Sequence, residues 1–327
     1  MTAVFPAVPL PATVLGGDRP ARLIDDITAW VDSPAMAALL REFGYGPLPG
    51  GPLAQRLAAL EQISAKRWDY RGGLLERSQA VGEYFEPTVD AQIRSAARSL
   101  GLAGRSTPLR RQYDHVLVLG GGVRTMMARA HLAATILREG VSASSVAGLG
   151  SLRVLDGQGG IVRELGLGEC VTEFDAVDEA LRHAFGAAAG ADQRSGETET
   201  GQPWLVRSYP DLCPPMHVLA APSMRPGQRA NTADTLTGWA ELVQETRVGT
   251  RLLLVTTDVF VPFQHCDAVR LLGLQYGCEV ETVGFDNASN PWVEPTETFL
   301  ILQEVRSAIR AMQLLYQAVA YPAGDAS

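Results

Sequence analysis

From residue 113 onward the hydrophobic positions fall into two alternating patterns. Short apolar runs predict strands at 115–119, 145–148 with 151–155, 217–221, 251–256 and 279–283. Such runs suit strands buried on both faces, where every position is apolar rather than every second one. Between them, apolar residues recur at helical spacing over 124–138, 173–186, 232–245 and 263–275, and a long helix is predicted over about 296–317. This alternation predicts a Rossmann-like α/β domain over 111–327, a mainly parallel sheet with helices on both faces. The stretch 187–202 is small, polar and glycine-rich, and predicts a mobile insertion in that domain.

Residues 1 to about 110 show helical spacing only. Ile24, Ile27, Trp30 and Val31 mark one amphipathic helix, and Met36, Leu39, Leu40 and Phe43 mark a second. Glycines and prolines over 44–52 break the pattern, which resumes at Leu53–Ile63 and again at Ile93–Leu100. This region reads as a helical cap or subdomain. Arg67, Arg71 and Arg77 lie in or near the dense aromatic and charged run Arg67–Gly73. They suit either an arginine–aspartate network or an anion contact.

In a parallel α/β sheet the carboxyl ends of the strands hold the ligand, so polar residues there carry weight. The first strand ends in Leu119-Gly120-Gly121-Gly122, and Arg124 and Thr125 follow in the first turn of the next helix. Gly120, Gly121 and Gly122 permit close approach of a ligand to the backbone, and the helix start offers free N–H groups to an anion. The same residues also suit a plain tight turn. An arginine is poorly placed for the dipole at a helix start, which favours an anion beside Arg124. Arg129 reads equally as a surface ion-pair partner. The run is neither a dinucleotide fingerprint nor a phosphate loop with its Gly-Lys-Ser/Thr.

The third strand end leads through Ser223 and Arg229 to Asn231, Thr232 and Asp234. Asn231 and Asp234 have the spacing of a capping box, and the same two residues can also face a ligand. The fourth ends in Thr256-Thr257-Asp258, with Gln264 in the next helix. Asp258 and Asp234 are the candidate general bases, and the hydroxyls, amides and arginines named above are the candidate ligand contacts.

Composition narrows the chemistry. A formal net charge of −8 argues against a nucleic-acid surface. Lys66 is the only lysine, so an anion would be held by arginines, hydroxyls or amides. Cys170, Cys213, Cys266 and Cys278 show no C-x-x-C pair and read as buried thiols. His115, His131, His183, His217 and His265 lack zinc spacing, so no metal site is expected. The N-terminus lacks a signal-peptide pattern and no apolar run spans a bilayer, so a cytoplasmic protein without a membrane partner is expected.

The motifs Leu119-Gly120-Gly121-Gly122, Ala230-Asn231-Thr232-Ala233-Asp234-Thr235 and Val255-Thr256-Thr257-Asp258, in that order over about 113–285, resemble the YdcF/SanA/ElyC-like bacterial family. The resemblance implies a Rossmann-like fold and S-adenosylmethionine as a cofactor, since one member is associated with it. Four departures stand against it: Ala221-Pro222-Ser223 replaces the family's acidic residue, Pro262-Phe263-Gln264 replaces its helix arginine, Gly148-Leu149-Gly150-Ser151 only approximates its second-strand Ser-Gly-Gly, and the N-terminal region has no counterpart.

Three functions fit these observations. The first is a soluble enzyme, transferase or hydrolase, acting on an anionic or nucleotide-like small molecule. The second is a binding protein for S-adenosylmethionine or a nucleotide-like ligand without turnover. The third is an enzyme using a charged nucleic acid such as aminoacyl-tRNA, which the acidic charge disfavours.

Overall fold

The computed structural model describes residues 3–12, 19–72, 80–187, 191–225, 227–243, 246–288 and 290–322. In chain order the elements are α1 Arg19–Val31, α2 Pro34–Glu42, α3 Leu53–Arg67, α4 Pro87–Ala97, β1 Gln112–Leu119, α5 Val123–Arg138, β2 Ser142–Gly150, α6 Gly159–Glu164 and α7 Glu173–Phe185. There follow β3 Asp192–Glu197, β4 Pro203–Tyr209, β5 Met216–Ala220, α8 Thr232–Leu242, β6 Arg251–Thr257, α9 Val261–Ala268, α10 Leu274–Tyr276, β7 Glu279–Phe285 and α11 Thr298–Ala320. They divide into two compact units.

The first unit draws on the described residues of Met1–Arg105, Asp258–Arg270 and Pro295–Ser327. Its spine is α11, which packs against α1, α3, α4 and α9. Leu23, Ile27 and Trp30 of α1, Leu57 and Leu60 of α3, and Leu302, Val305 and Ile309 of α11 are fully buried. The spacing of each set puts it on one helical face, and burial of those faces stabilises helices too short to persist alone. Helices α9 and α11, placed with the sheet on sequence alone, belong to this helical unit.

The second unit, Ser106–Thr257 and Leu271–Glu294, contains a seven-stranded sheet in the order β3-β4-β5-β2-β1-β6-β7. The five strands from β5 to β7 are parallel, and β3 and β4 extend the β5 edge antiparallel. The architecture is the expected Rossmann-like α/β fold. Val116, Val118, Val146, Val218 and Val255 form one core with Met126, Met127 and Ala130 of α5 and Phe174, Val177 and Leu181 of α7. The opposite sheet face carries His115, which meets the Trp239 ring of α8 edge-on at 5.4 Å. Helices thus lie on both faces. A Cβ on Gly148 would stand 2.4 Å from Val177 and 2.5 Å from Leu181, so glycine there lets α7 press onto β2.

Several local expectations change. Residues 151–155 form no strand; only Val154 bridges to Thr172. Of the stretch read as a mobile insertion, 188–190 lie outside the described residues, while Asp192–Glu197 is strand β3 paired with β4. Polar side chains suit β3 because it is an edge strand and largely exposed. The end of the predicted helix 232–245 also falls outside the described residues, at 244–245. Cys266 and Cys278 are buried as expected, whereas Cys213 is exposed, and all four cysteines are free.

Candidate functional site

Strand register places the polar strand ends on one edge. Leu119 pairs with Leu149, Leu149 with Leu219, and Val118 with Val255. Gly120, Ser151, Ser223 and Thr257 therefore leave the sheet at its carboxyl edge. Chain direction around the sheet reverses between β1, whose other neighbour is β2, and β6, which leads on to β7. That switch point is where open α/β sheets hold their ligands.

The glycine turn is half-buried and already surrounded by side chains of the chain itself. A Cβ on Gly120 would lie 2.5 Å from the Leu149 carbonyl oxygen and 2.9 Å from Glu173 Oε1. One on Gly122 would lie 3.1 Å from Gln158 Oε1. Glycine at 120 is thus required by close approach of the β2 backbone, whether or not a ligand joins it. Gln158 Oε1 accepts a hydrogen bond from the Val123 amide at 2.9 Å, taking one of the free N–H groups at the start of α5.

Glu173 opens α7 at that turn and is only 9% exposed. Its Oε2 accepts from Ser151 Oγ at 2.6 Å, and Arg153 stands 3.6 Å from Oε1. The first turn of a helix favours a carboxylate, and the loop after β2 is fastened there by Glu173 N–H donating to the Arg153 carbonyl at 2.8 Å. The result is a largely buried carboxylate at the carboxyl edge of the sheet, beside backbone that carries no side chain. Sequence reasoning passed over Glu173, Ser151, Arg153 and Gln158. An acidic residue in a helix's first turn reads as dipole compensation, and Gln158 lies 35 residues from the amide it caps.

Arg129 is 1% exposed, and neither sequence reading of it describes its place. Its guanidinium donates to the Leu119 carbonyl at 2.8 Å, to the Gly120 carbonyl, and to Thr257 Oγ1 at 3.1 and 3.3 Å. It ties the end of β1 to the end of β6 from inside the switch point. Arg124, expected to meet an anion, is paired at 2.6 Å with the exposed Glu164. Thr125 packs beside Gly121.

Farther along the edge, Ser223 Oγ is engaged in a local turn with the Arg225 amide and carbonyl, at 3.1 and 3.0 Å. Arg229 is exposed. Asn231 caps α8 by accepting from the Asp234 amide at 3.0 Å, and Asp234 accepts from the Asn231 amide at 2.8 Å. This is a complete capping box, with Thr232 as the first helical residue. Thr256 and Thr257 end β6 and are buried. Asp258 and Gln264 fall in the first unit. Asp258 is buried and its Oδ1 accepts from the Val259 amide at 2.7 Å, while Gln264 is buried within α9.

The helical unit has a cleft of about 390 Å³ lined by Lys66, Arg67, Asp69, Tyr70 and Glu83 among others. Arg67 sits over the Tyr45 ring at 5.9 Å, Asp69 is 3.6 Å from Arg306, and Tyr70 donates to Glu83. Arg71 reaches Glu304 at 3.7 Å, so these residues form a charged network, and Arg77 lies outside the described residues. With Arg67, Asp69 and Glu83 each engaged by a side chain of the same unit, the cleft is a weaker candidate than the sheet edge.

Fold and edge together define a Rossmann-like α/β protein with a separate helical unit. Comparison with known proteins places it more closely. The Rv3785 N-terminal domain matches residues 15–101. Uncharacterized protein Rv3785 of Mycobacterium tuberculosis (strain ATCC 25618 / H37Rv) is 32% identical over 341 aligned residues, covering 94% of either chain. Uncharacterized protein Mb3814 of Mycobacterium bovis has the same identity and coverage. The chain belongs to this Rv3785 family. No solved structure matches it.

This finding overturns the resemblance to the YdcF/SanA/ElyC-like family. The relatives extend along nearly the whole chain, including the N-terminal region for which that resemblance had no counterpart. Its three motifs have local causes here: a glycine turn under Glu173, a capping box on α8, and a strand end tied by Arg129. S-adenosylmethionine, which only the resemblance implied, loses its basis. Among the described residues no helix is long and apolar enough to cross a membrane.

Proposed function

We propose that the protein is an enzyme of the transferase or hydrolase class that acts on a hydroxylated, nucleotide-like anionic small molecule at the carboxyl edge of the sheet. The observation that carries this reading is the Glu173 carboxylate, largely buried at the glycine turn and held by Ser151. A buried carboxylate is costly unless it is paired or has a task, and its Oε1 has the Arg153 guanidinium only at 3.6 Å. Like charge keeps a phosphate away from Gly120, so the group bound there is a hydroxyl or amine that donates to Glu173. The anionic part of the ligand lies toward Arg153. Glu173 then serves as general base toward the donated proton.

Native mass spectrometry of the full chain, followed by assay of any co-purified molecule, identifies the ligand. Glu173→Gln keeps the acceptor for Ser151 and so keeps the fold. It is expected to lower turnover about 100-fold or more while changing affinity much less. A Glu173→Gln protein with full turnover overturns the assignment. Loss of affinity with no turnover in the unaltered protein makes it a binding protein instead.

A further inference from the structure

His131 on α5 and His183 on α7 are 52 residues apart in sequence, yet the fold brings their rings together. His131 Nε2 stands 3.2 Å from His183 Nδ1, with ring centroids 5.3 Å apart and planes inclined at 57°. The Trp292 ring stacks on His131, at 4.4 Å and 27°. His131 is half-buried and His183 exposed, so the facing nitrogens lie at the surface of the second unit.

We propose that His131 and His183 form a two-imidazole site for a transition-metal dication of the zinc, nickel or copper type. A zinc–imidazole bond of about 2.0–2.1 Å with ligand angles of roughly 90–110° puts two nitrogens about 2.8–3.4 Å apart. The observed separation falls within that span, so a metal needs rotation of the exposed His183 ring but no movement of α5 against α7. Trp292 fixes the plane of one ligand, the service that neighbouring groups perform around bound metals.

In the metal-free pair, one facing nitrogen must carry the hydrogen that the other accepts. On binding, that hydrogen leaves the facing nitrogen and the far nitrogen of the same ring takes up a proton, so both facing lone pairs reach the metal and the rings stay neutral. Among the described residues no group of three or more His, Cys, Asp or Glu is placed to hold a metal. The other coordination positions therefore go to water or to an added anion, and the site is open rather than structural. The histidine spacing along the chain conceals this pair because it is made by helix packing.

The test uses the full chain without a histidine tag, titrated with Zn²⁺ and Cu²⁺ alone. One dication per chain is expected, with copper bound more tightly than zinc. His183→Ala, at an exposed position, should leave the fold intact and weaken binding tenfold or more, and His131→Ala should do the same. Copper should quench the fluorescence of Trp292, and Trp292→Phe should bind copper while losing that part of the quenching. Zinc binding by His183→Ala equal to that of the unaltered chain overturns the proposal, as does copper binding that leaves Trp292 emission unchanged.

Discussion

Replacing Arg129 by methionine tests whether the switch point is held from within. The side chain is 1% exposed and donates to two carbonyls and a threonine hydroxyl that close β1 onto β6. Each hydrogen bond from a charged donor contributes about 1.5–3 kcal/mol, and stripping a buried acceptor of its donor costs about 1–3 kcal/mol. Against these stands the desolvation of the guanidinium, several kcal/mol, which methionine does not incur. Methionine also fills much of the same volume with a flexible chain, so cavity formation adds little. The balance of these terms is a loss of about 3–5 kcal/mol. Arg129→Lys keeps the charge without the planar fork and should lose about 1–3 kcal/mol. Urea denaturation followed by circular dichroism, with the slope checked for constancy, reads both values. A methionine variant within 1 kcal/mol of the unaltered chain would mean that the guanidinium is not the tie described here.

Gly120→Ala places a Cβ 2.5 Å from a backbone oxygen of β2 and 2.9 Å from Glu173. It should destabilise the protein by about 1–3 kcal/mol, as overpacking does, and an unaltered melting temperature would count against that close approach. His265 is fully buried with Nε2 2.7 Å from the Pro11 carbonyl, and burial lowers its pKa from the usual 6.5 to about 4. The unfolded chain binds a proton there below pH 6.5 while the folded chain stays neutral. Stability is then complete above pH 6.5 and falls toward pH 4 by up to about 3 kcal/mol. His265→Gln should flatten that slope by about one proton, and parallel pH profiles for the two proteins would contradict it.

What was legible in the sequence follows the range of the interactions concerned. Val116–Leu119 and Leu252–Val255 could be read as buried strands because continuous apolar runs report burial on both faces. The capping box at Asn231 and Asp234 was legible because cap and partner are three residues apart. Strands β3 and β4 were missed for the opposite reason. β3 is polar and exposed at the sheet edge, and β4 carries Arg207 and Ser208, each answered by a distant side chain. Arg207 meets Asp178 of α7, so a charge that looks like solvent in the sequence is half-buried in the fold. Arg129 misled in the same way, since its partners are backbone carbonyls and a threonine 128 residues away.

The glycine turn shows how one local motif can serve two chemistries. Three glycines before a helix do make backbone accessible, and an anion is the usual occupant of such a turn. Here the carboxylate of Glu173 stands beside the turn, and the Val123 amide already has a partner in the Gln158 side chain. A second negative charge at Gly120 would repel the first at this half-buried site. On the function proposed above, the ligand group at that position is a donor held by a carboxylate rather than an acceptor held by amides. This reversal places Glu173, rather than Arg124, at the centre of the candidate site. Arg124→Ala should then remove only a partly exposed ion pair, worth about 0–1 kcal/mol, and leave the edge chemistry intact.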